Sequence, residues 1–186
     1  EISLGLVGSE MCIRDSVSAL CIITTLKGFT YRVPSHLNKI LFSGEVMPVK
    51  HLNTWRSCLP KALFVNLYGP TEITCNCTYY VVDREFEPGT PIPIGRPFPN
   101  ETVFLLDENN RLITEPGQNG ELCVAGTALA LGYYRDTQRT AMAFVQNPLN
   151  SCYPETIYRT GDLACYGRDG LLYFNCLLYT SPSPRD

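Results

Sequence analysis

A seven-residue segment of the chain combines the side-chain types that a nucleotide site needs. Residues 66–72 read NLYGPTE. Tyr68 offers a flat ring on which a base can stack, and Gly69 lets backbone approach a ligand closely. The hydroxyl of Thr71 can hydrogen-bond a phosphate oxygen, and the carboxylate of Glu72 can hold a magnesium ion that neutralises phosphates. A plain turn followed by a helix start uses the same residue types, so the side chains alone leave both interpretations open.

A second candidate is the acid in the segment YRTGDL, residues 158–163. The two adjacent hydroxyls of a ribose both donate hydrogen bonds, and one ionised carboxylate can accept both. Asp162 suits this role because Gly161 relieves backbone crowding just before it. The alternative is an ordinary turn with a solvated acid. If one nucleotide reaches both segments, Glu72 and Asp162 must lie close together in the fold.

Three segments in this order resemble the motifs of amino-acid adenylation domains, the amino-acid-activating branch of the adenylate-forming enzymes. They are residues 66–72, the stretch GELCVAG at 120–126 with LGYY at 131–134, and residues 158–163. The resemblance implies that ATP and an amino acid form an aminoacyl-adenylate and pyrophosphate, after which a carrier protein's phosphopantetheine thiol takes the amino acid. Acyl-CoA synthetases are the alternative within the superfamily, and a non-catalytic interaction module is the alternative from another class.

The resemblance also implies roles for individual side chains in binding ATP and Mg²⁺, with Thr71 and Glu72 as the catalytic pair. The implied roles are adenine contact for Asn66 and Tyr68, close backbone approach for Gly69, the α-phosphate for Thr71, magnesium for Glu72, the ribose for Asp162 and an aromatic contact for Phe174. Tyr133, like Tyr134, is expected in the barrel core or at a subdomain contact.

Five uncharged positions correspond by resemblance to the pocket for the amino-acid side chain: Leu41, Ser43, Leu67, Cys75 and Asn76. A charged substrate side chain would lie there unpaired, which is costly, so a small or neutral amino acid is expected. The stretch FSGEV, residues 42–46, also resembles D-alanine carrier-protein ligases, which makes D-alanine one candidate.

Composition and charge narrow the class of protein. The chain has 186 residues, of which 45% are hydrophobic, enough for a packed core. A net charge of −3 with intermixed signs gives no reason to expect a nucleic-acid or membrane partner. The apolar stretch 17–26 is too short to span a bilayer and has no basic region before it, so a cytoplasmic protein is expected. The nine cysteines are odd in number and lack a zinc-site pattern, which favours free thiols.

The pattern of apolar residues predicts an α/β fold, namely part of a parallel α/β sheet subdomain over residues 17–87 followed by a small β-barrel subdomain over 101–175. Strand 37–43, helix 48–59 and strand 62–66 form a parallel crossover unit, with the NLYGPTE loop at the carboxyl end of its second strand. The proline-rich segment 88–100 is the connector. In the barrel, Asp136 caps a helix over 137–144 that turns Ala141 and Phe144 inward. The last hairpin joins a strand over 162–166, which starts at a bend, to a strand over 171–174.

Both ends of the chain look foreign to the rest. Residues 176–186 can be back-translated as one strand of a common transposase sequencing adapter, and residues 6–15 as its reverse complement. Segments 1–16 and 176–186 are therefore expected to be non-native and poorly packed. Nothing in the sequence matches the family's phosphate loop or catalytic lysine, so the chain alone is expected to be an inactive fragment.

Overall fold

The computed structural model describes residues 11–177, with side chains described for residues 16–175. The chain forms two compact units. The first comprises the chain up to Leu67 together with residues 80–92, and the second comprises residues 68–79 together with the chain from Pro93 onward. The loop after residue 67 belongs to the second unit because Ile73 and Cys77 are fully buried in that unit's core.

The first unit contains three successive parallel strands with helices between them, followed by part of a fourth strand. Its strands follow the order β1 (Met11–Ser16), β2 (Leu37–Ser43), β3 (Leu63–Tyr68) and β4 (Thr78–Val81), of which β4 contributes its last two residues. Its helices are α1 (Val17–Thr25), α2 (Gly28–Tyr31) and α3 (Val49–Cys58). The predicted strand–helix–strand unit is confirmed, since β2 and β3 are parallel and α3 joins them.

Helix α3 packs one apolar face, as its sequence spacing predicts. Val49, Leu52 and Trp55 recur at three-residue steps and are all buried. The indole Nε1 of Trp55 donates a hydrogen bond to the carbonyl of Leu20 at 3.0 Å, and the ring of Phe29 meets the indole edge-on at 4.7 Å between centroids. These contacts hold α3 against α1 and α2 within the first unit.

The backbone at two predicted tail segments is ordered, so the expectation of poor packing is wrong there. Met11–Ser16 form β1 and pair in parallel with β2. Cys176 and Leu177 extend the last strand and pair with Leu163 and Asp162. In both cases the tail adds hydrogen bonds to a strand that would otherwise present unpaired backbone groups at a sheet edge. Residues 1–10 and 178–186, the rest of the predicted tails, lie outside the described residues.

The second unit is an antiparallel sheet that curls as a half-barrel, which confirms the predicted β-barrel subdomain. Its strand order is β11-β10-β8-β6-β7, with β9 paired to β10. The strands are β6 (Glu101–Leu106), β7 (Leu112–Ile113), β8 (Asn119–Gly126), β9 (Phe144–Gln146), β10 (Thr156–Tyr166) and β11 (Leu172–Leu177), preceded by β5 (Arg96–Pro97), which pairs with the start of β4. Helix α4 (Thr137–Ala143) precedes β9, and a 3-10 turn covers Thr71–Ile73.

Both faces of this sheet are buried around its central strands. Along β8, Leu122 and Val124 belong to one apolar cluster, whereas Cys123 and Ala125 belong to another. This is the two-residue alternation of a strand covered on both sides. The first cluster also contains Ile73, which attaches the 3-10 turn to the sheet.

Candidate functional site

The loop after β3 closes on itself, and its glycine is required by that closure. The N–H of Cys77 donates to the carbonyl of Tyr68 at 2.8 Å. A Cβ on Gly69 would lie 2.5 Å from the Cα of Asn76 and 2.8 Å from the backbone nitrogen of Cys77. Sequence reasoning attributed Gly69 to close approach of a ligand. The structure gives a different reason, which is that the returning backbone of the loop leaves no room for a side chain.

Tyr68, Asp162 and Phe174 lie together in the second unit. The hydroxyl of Tyr68 donates a hydrogen bond to the Oδ2 of Asp162, and the rings of Tyr68 and Phe174 are 6.0 Å apart between centroids. Burial, followed by the charge of Asp162, raises the pKa of Tyr68 well above its ordinary value, so the phenol stays protonated and acts as the donor. Two of the three sequence motifs therefore meet at a carboxylate.

Asp162 is presented by an irregularity inside β10, where the sequence predicted a bend at the start of a strand. The register between β10 and β8 shifts between Arg159 and Leu163, and Gly161 has φ of 72°. Four steps along β10 oppose two along β8, so β10 carries two extra residues there. Together with the left-handed conformation of Gly161, this is the geometry of a β-bulge, which re-aims the next side chain. The hydroxyl of Thr160 fixes the bulge, since it accepts from the N–H of Asp162 at 3.0 Å and donates to the carbonyl of Leu122 at 2.7 Å.

Glu121, on the neighbouring strand β8, anchors the same bulge and was missed by sequence reasoning. Its carboxylate accepts from the Nε of Arg159 at 2.8 Å and from the N–H of Gly161 at 3.2 Å. The Nη1 of Arg159 also donates to the Oδ1 of Asn110 at 2.8 Å. The available signal was an acid within an otherwise apolar strand, which requires a partner.

Glu72 is half-buried in the 3-10 turn and is held by the segment after β8. Its Oε1 accepts from the hydroxyl of Tyr133 at 2.7 Å, and its carbonyl accepts from the N–H of Ala130 at 2.8 Å. The hydroxyl of Thr74 donates to the carbonyl of Ala128 at 2.7 Å. Of the two alternatives expected for the adjacent tyrosines, barrel core or subdomain contact, the core is wrong for Tyr134, which is 86% exposed. Only the first of the pair turns toward Glu72.

The donor chemistry at Glu72 fits a magnesium ion. No group of three or more His, Cys, Asp and Glu side chains capable of holding a metal occurs among residues 16–175. Mg²⁺ does not need such a group, because it is commonly held by one or two carboxylates together with substrate phosphates and water. Glu72 supplies a hard carboxylate, and the exposed Thr71 beside it supplies a hydroxyl for a phosphate oxygen.

The remaining predicted site residues are divided between the two units. In the first unit, Asn66 is buried in β3 and lies in register with Phe42 of β2. Leu41 is in register with Val65, and side chains two apart share a face, so the three pocket positions of this unit lie on one face of its sheet: Leu41, Ser43 and Leu67. In the second unit, Cys75 is exposed with φ of 92°, and Asn76 is half-buried.

Two further expectations, on the cysteines and on membrane-spanning helices, can be compared with the described residues. None of the seven cysteines whose side chains are described forms a disulfide bond, which confirms the prediction of thiols for that set. None of the helices within residues 11–177 has both the length and the apolar character that crossing a bilayer requires.

The sequence of the chain is similar to those of known proteins. The family model described as AMP-binding enzyme matches residues 15–134, more than half of the 186 residues. Tyrocidine synthase 3 of Brevibacillus parabrevis is 42% identical over 139 residues, covering 74% of this chain and 2% of that protein. The ligase of Streptomyces coelicolor for L-proline and the L-prolyl-carrier protein is 36% identical over 159 residues, covering 84% of this chain and 28% of that protein.

A solved structure of a similar protein also matches the chain. A structure of PA1221, an NRPS protein containing adenylation and PCP domains bound to a vinylsulfonamide inhibitor, matches with a TM-score of 0.79 and 32% identity. The match covers 88% of this chain and 28% of that one. The chain therefore spans less than a third of the length of each of these relatives.

Proposed function

Because the chain belongs to the family of AMP-binding enzymes, we propose that it is part of an amino-acid adenylation domain. In the whole enzyme, a carboxylate oxygen of the amino acid attacks the α-phosphorus of ATP, the bond from that phosphorus to the bridging oxygen breaks, and pyrophosphate leaves. The thiol of a carrier protein then attacks the acyl carbon, the bond from that carbon to the phosphate oxygen breaks, and AMP leaves. The relatives that activate amino acids or contain PCP domains support this assignment over acyl-CoA synthesis.

The observation that carries the proposal is the contact between Tyr68 and Asp162. These residues are separated by 94 positions, yet the fold brings the side chains of the first and third motifs into hydrogen-bond contact. Asp162 would accept hydrogen bonds from the ribose hydroxyls, and Asn66 and Tyr68 would contact the adenine. Phe174, beside the ring of Tyr68, would add an aromatic surface near the nucleotide.

The other end of the nucleotide is assigned to the 3-10 turn. Thr71 would donate its hydroxyl to the α-phosphate, and Glu72 would hold Mg²⁺. When bound, the ion would neutralise negative charge on the phosphates. Because positioning and charge neutralisation supply most of the catalysis in phosphoryl chemistry, these two residues are the proposed catalytic pair.

Substrate choice is proposed to favour a small or neutral amino acid, D-alanine included. The five pocket positions carry no charge, so an ionised substrate side chain would be buried without a partner there. A panel of amino acids in an exchange assay on the complete enzyme, with and without the Asn76→Ala change, tests this. Preference for Asp, Glu, Lys or Arg would contradict the pocket assignment.

Nucleotide binding can be tested on the chain itself by calorimetry. ATP should bind more tightly than 2′,3′-dideoxy-ATP, because only ATP offers hydroxyls to Asp162. Asp162→Asn should remove that preference, whereas Glu108→Gln, an exposed carboxyl in a turn, should leave it unchanged. Equal affinity of the unmodified chain for the two nucleotides would overturn the assignment of Asp162 to the ribose.

A further inference from the structure

Tyr133 is fixed in place from several sides. The guanidinium of Arg139 lies over its ring at 4.1 Å from the centroid, and the ring of Phe144 meets it at 72° with 5.9 Å between centroids. The N–H of Tyr133 donates to the hydroxyl of Thr140 at 2.9 Å. A cation over an aromatic face and an edge-on aromatic neighbour both restrict the ring. The direction of the phenol is therefore set by helix α4 and the strand that follows it.

The fixed phenol points at one oxygen of Glu72. The hydroxyl of Tyr133 donates to Oε1 at 2.7 Å, a length typical of a bond to a carboxylate. A carboxylate has two oxygens and about four acceptor positions, so Glu72 can accept from Tyr133 and still ligate a cation.

We propose that Tyr133 is a positioning residue that orients the Glu72 carboxylate for the magnesium ion that accompanies ATP. The inference rests on the proposed function, and it adds a residue that touches neither nucleotide nor metal. Outer groups that hydrogen-bond a metal-binding side chain fix its orientation, and their removal typically weakens metal binding by about 10- to 100-fold. Arg139, whose guanidinium lies over the Tyr133 ring, contributes to the same orientation of Glu72 by holding that ring.

The test measures ATP binding to the chain by calorimetry over a range of Mg²⁺ concentrations, with AMP binding in the absence of Mg²⁺ as the second readout. Tyr133→Phe should raise the Mg²⁺ concentration that half-saturates ATP binding by about tenfold. AMP affinity should change less than about twofold, because the adenosine contacts do not involve Tyr133. Tyr134→Phe is the matched control, since it removes a phenol from the adjacent exposed residue, and it should change neither value.

Two further variants test whether Tyr133 acts through Glu72 and provide an alternative if Tyr133→Phe does not fold. Adding Tyr133→Phe to Glu72→Gln should produce no additional shift, because the orientation of a lost carboxylate no longer matters. If Tyr133→Phe fails to fold, Arg139→Met keeps the phenol but frees its ring, and it should shift the Mg²⁺ midpoint in the same direction by a smaller factor. An unchanged Mg²⁺ midpoint, or equal loss of AMP and ATP binding, overturns the positioning role. An unmodified chain that binds neither nucleotide overturns the proposed function instead.

Discussion

Glu121 stabilises the bulge that carries Asp162 without itself being placed at the nucleotide. It accepts hydrogen bonds from the side chain of Arg159 and from the backbone of Gly161. Its side chain is 12% exposed, so little water is available to replace either partner. A single acid therefore sets both the local stability of β10 and the direction of the neighbouring carboxylate.

Replacing Glu121 by Gln should lower the free energy of unfolding by about 1–3 kcal/mol, the usual range for hydrogen bonds to a charged group. The guanidinium of Arg159 would lose its ionic partner while remaining partly buried. Urea unfolding monitored by circular dichroism measures the change. Glu115→Gln is the control, because Glu115 is exposed in a turn. Equal stabilities for the two variants would mean that the Glu121 carboxylate does not support the bulge.

The thiols should differ in reactivity according to burial. Burial raises the pKa of Cys77 and of Cys123 to about 12, whereas Cys75 and Cys152 are exposed. Because the thiolate is the nucleophile, iodoacetamide at pH 8 should modify the exposed pair first. Peptide mass spectrometry locates the modified residues, and the same reaction in urea should reach all four. Early modification of Cys77 or Cys123 in the folded chain would contradict their burial.

The residues proposed to touch the nucleotide were assigned through the resemblance of their motifs, whereas their supporting partners stand in no such motif. Tyr68, Glu72 and Asp162 stand in short motifs whose chemistry is visible in the sequence. Glu121 meets Gly161 across 40 positions, and Tyr133 meets Glu72 across 61. Such pairs depend on strand register and on how a loop returns to a sheet. Neither is encoded by a local pattern.

At the scale of elements, the bulge beside Asp162 explains why the sequence pattern predicted only the second half of the strand. The sequence predicted a strand starting at residue 162, whereas β10 begins at Thr156 and continues through Gly161. The pattern of a regular strand is interrupted where the bulge adds two residues relative to β8, so the first half of β10 was interpreted as lying outside the strand. A glycine inside a strand with positive φ is the physical cause of the error.

The cap of helix α4 and the inward position of Phe144 were predicted correctly, but the inward position of Ala141 was not. Asp136 caps it as expected, since its carboxylate accepts from the N–H of Arg139 at 2.8 Å. Ala141 is exposed, however, whereas Ala143 and Phe144 pack against the apolar cluster. In a helix of seven residues, two turns give too few apolar positions to fix the rotation.

Asp136→Ala should destabilise the chain by about 1 kcal/mol, the usual effect of removing a capping side chain. Because α4 also carries the guanidinium over Tyr133, the variant should raise the Mg²⁺ concentration that half-saturates ATP binding, as expected for Arg139→Met. Chemical denaturation and calorimetry give the two values. Glu108→Ala, at an exposed turn position, is the control. A variant as stable as that control would show that the cap contributes nothing.

At the scale of the whole molecule, the fold class followed from the sequence, whereas the division of the chain did not. Short apolar runs and apolar residues at three- and four-residue steps indicated the parallel unit, and the prolines of 88–100 indicated a change of architecture. The structural units are discontinuous, because residues 68–79 join the later part of the chain. Ile73 and Cys77 decide this by their burial in the second unit's core, and a local sequence pattern does not reveal which core a buried side chain joins.

The buried thiols also make the stability of the fold sensitive to alkaline pH. Folding raises the pKa of Cys77 and of Cys123 from 9.0 to about 12, mainly because burial disfavours the thiolate. Below pH 9 both states keep these protons, so the native state loses nothing. Above it, the unfolded chain ionises while the native chain does not, and the free energy of unfolding falls until about pH 12.

Cys123→Ala should therefore flatten this alkaline decline, although the cavity lowers stability at every pH. Between pH 9 and 11, the variant should lose roughly 1–2 kcal/mol less free energy of unfolding than the unmodified chain, because one raised thiol no longer contributes. Urea unfolding at several pH values gives the slope for each protein. Cys152→Ala is the matched control, since that thiol is exposed and its removal should leave the slope unchanged. Parallel declines for Cys123→Ala and the unmodified chain would show that the Cys123 proton is not linked to unfolding.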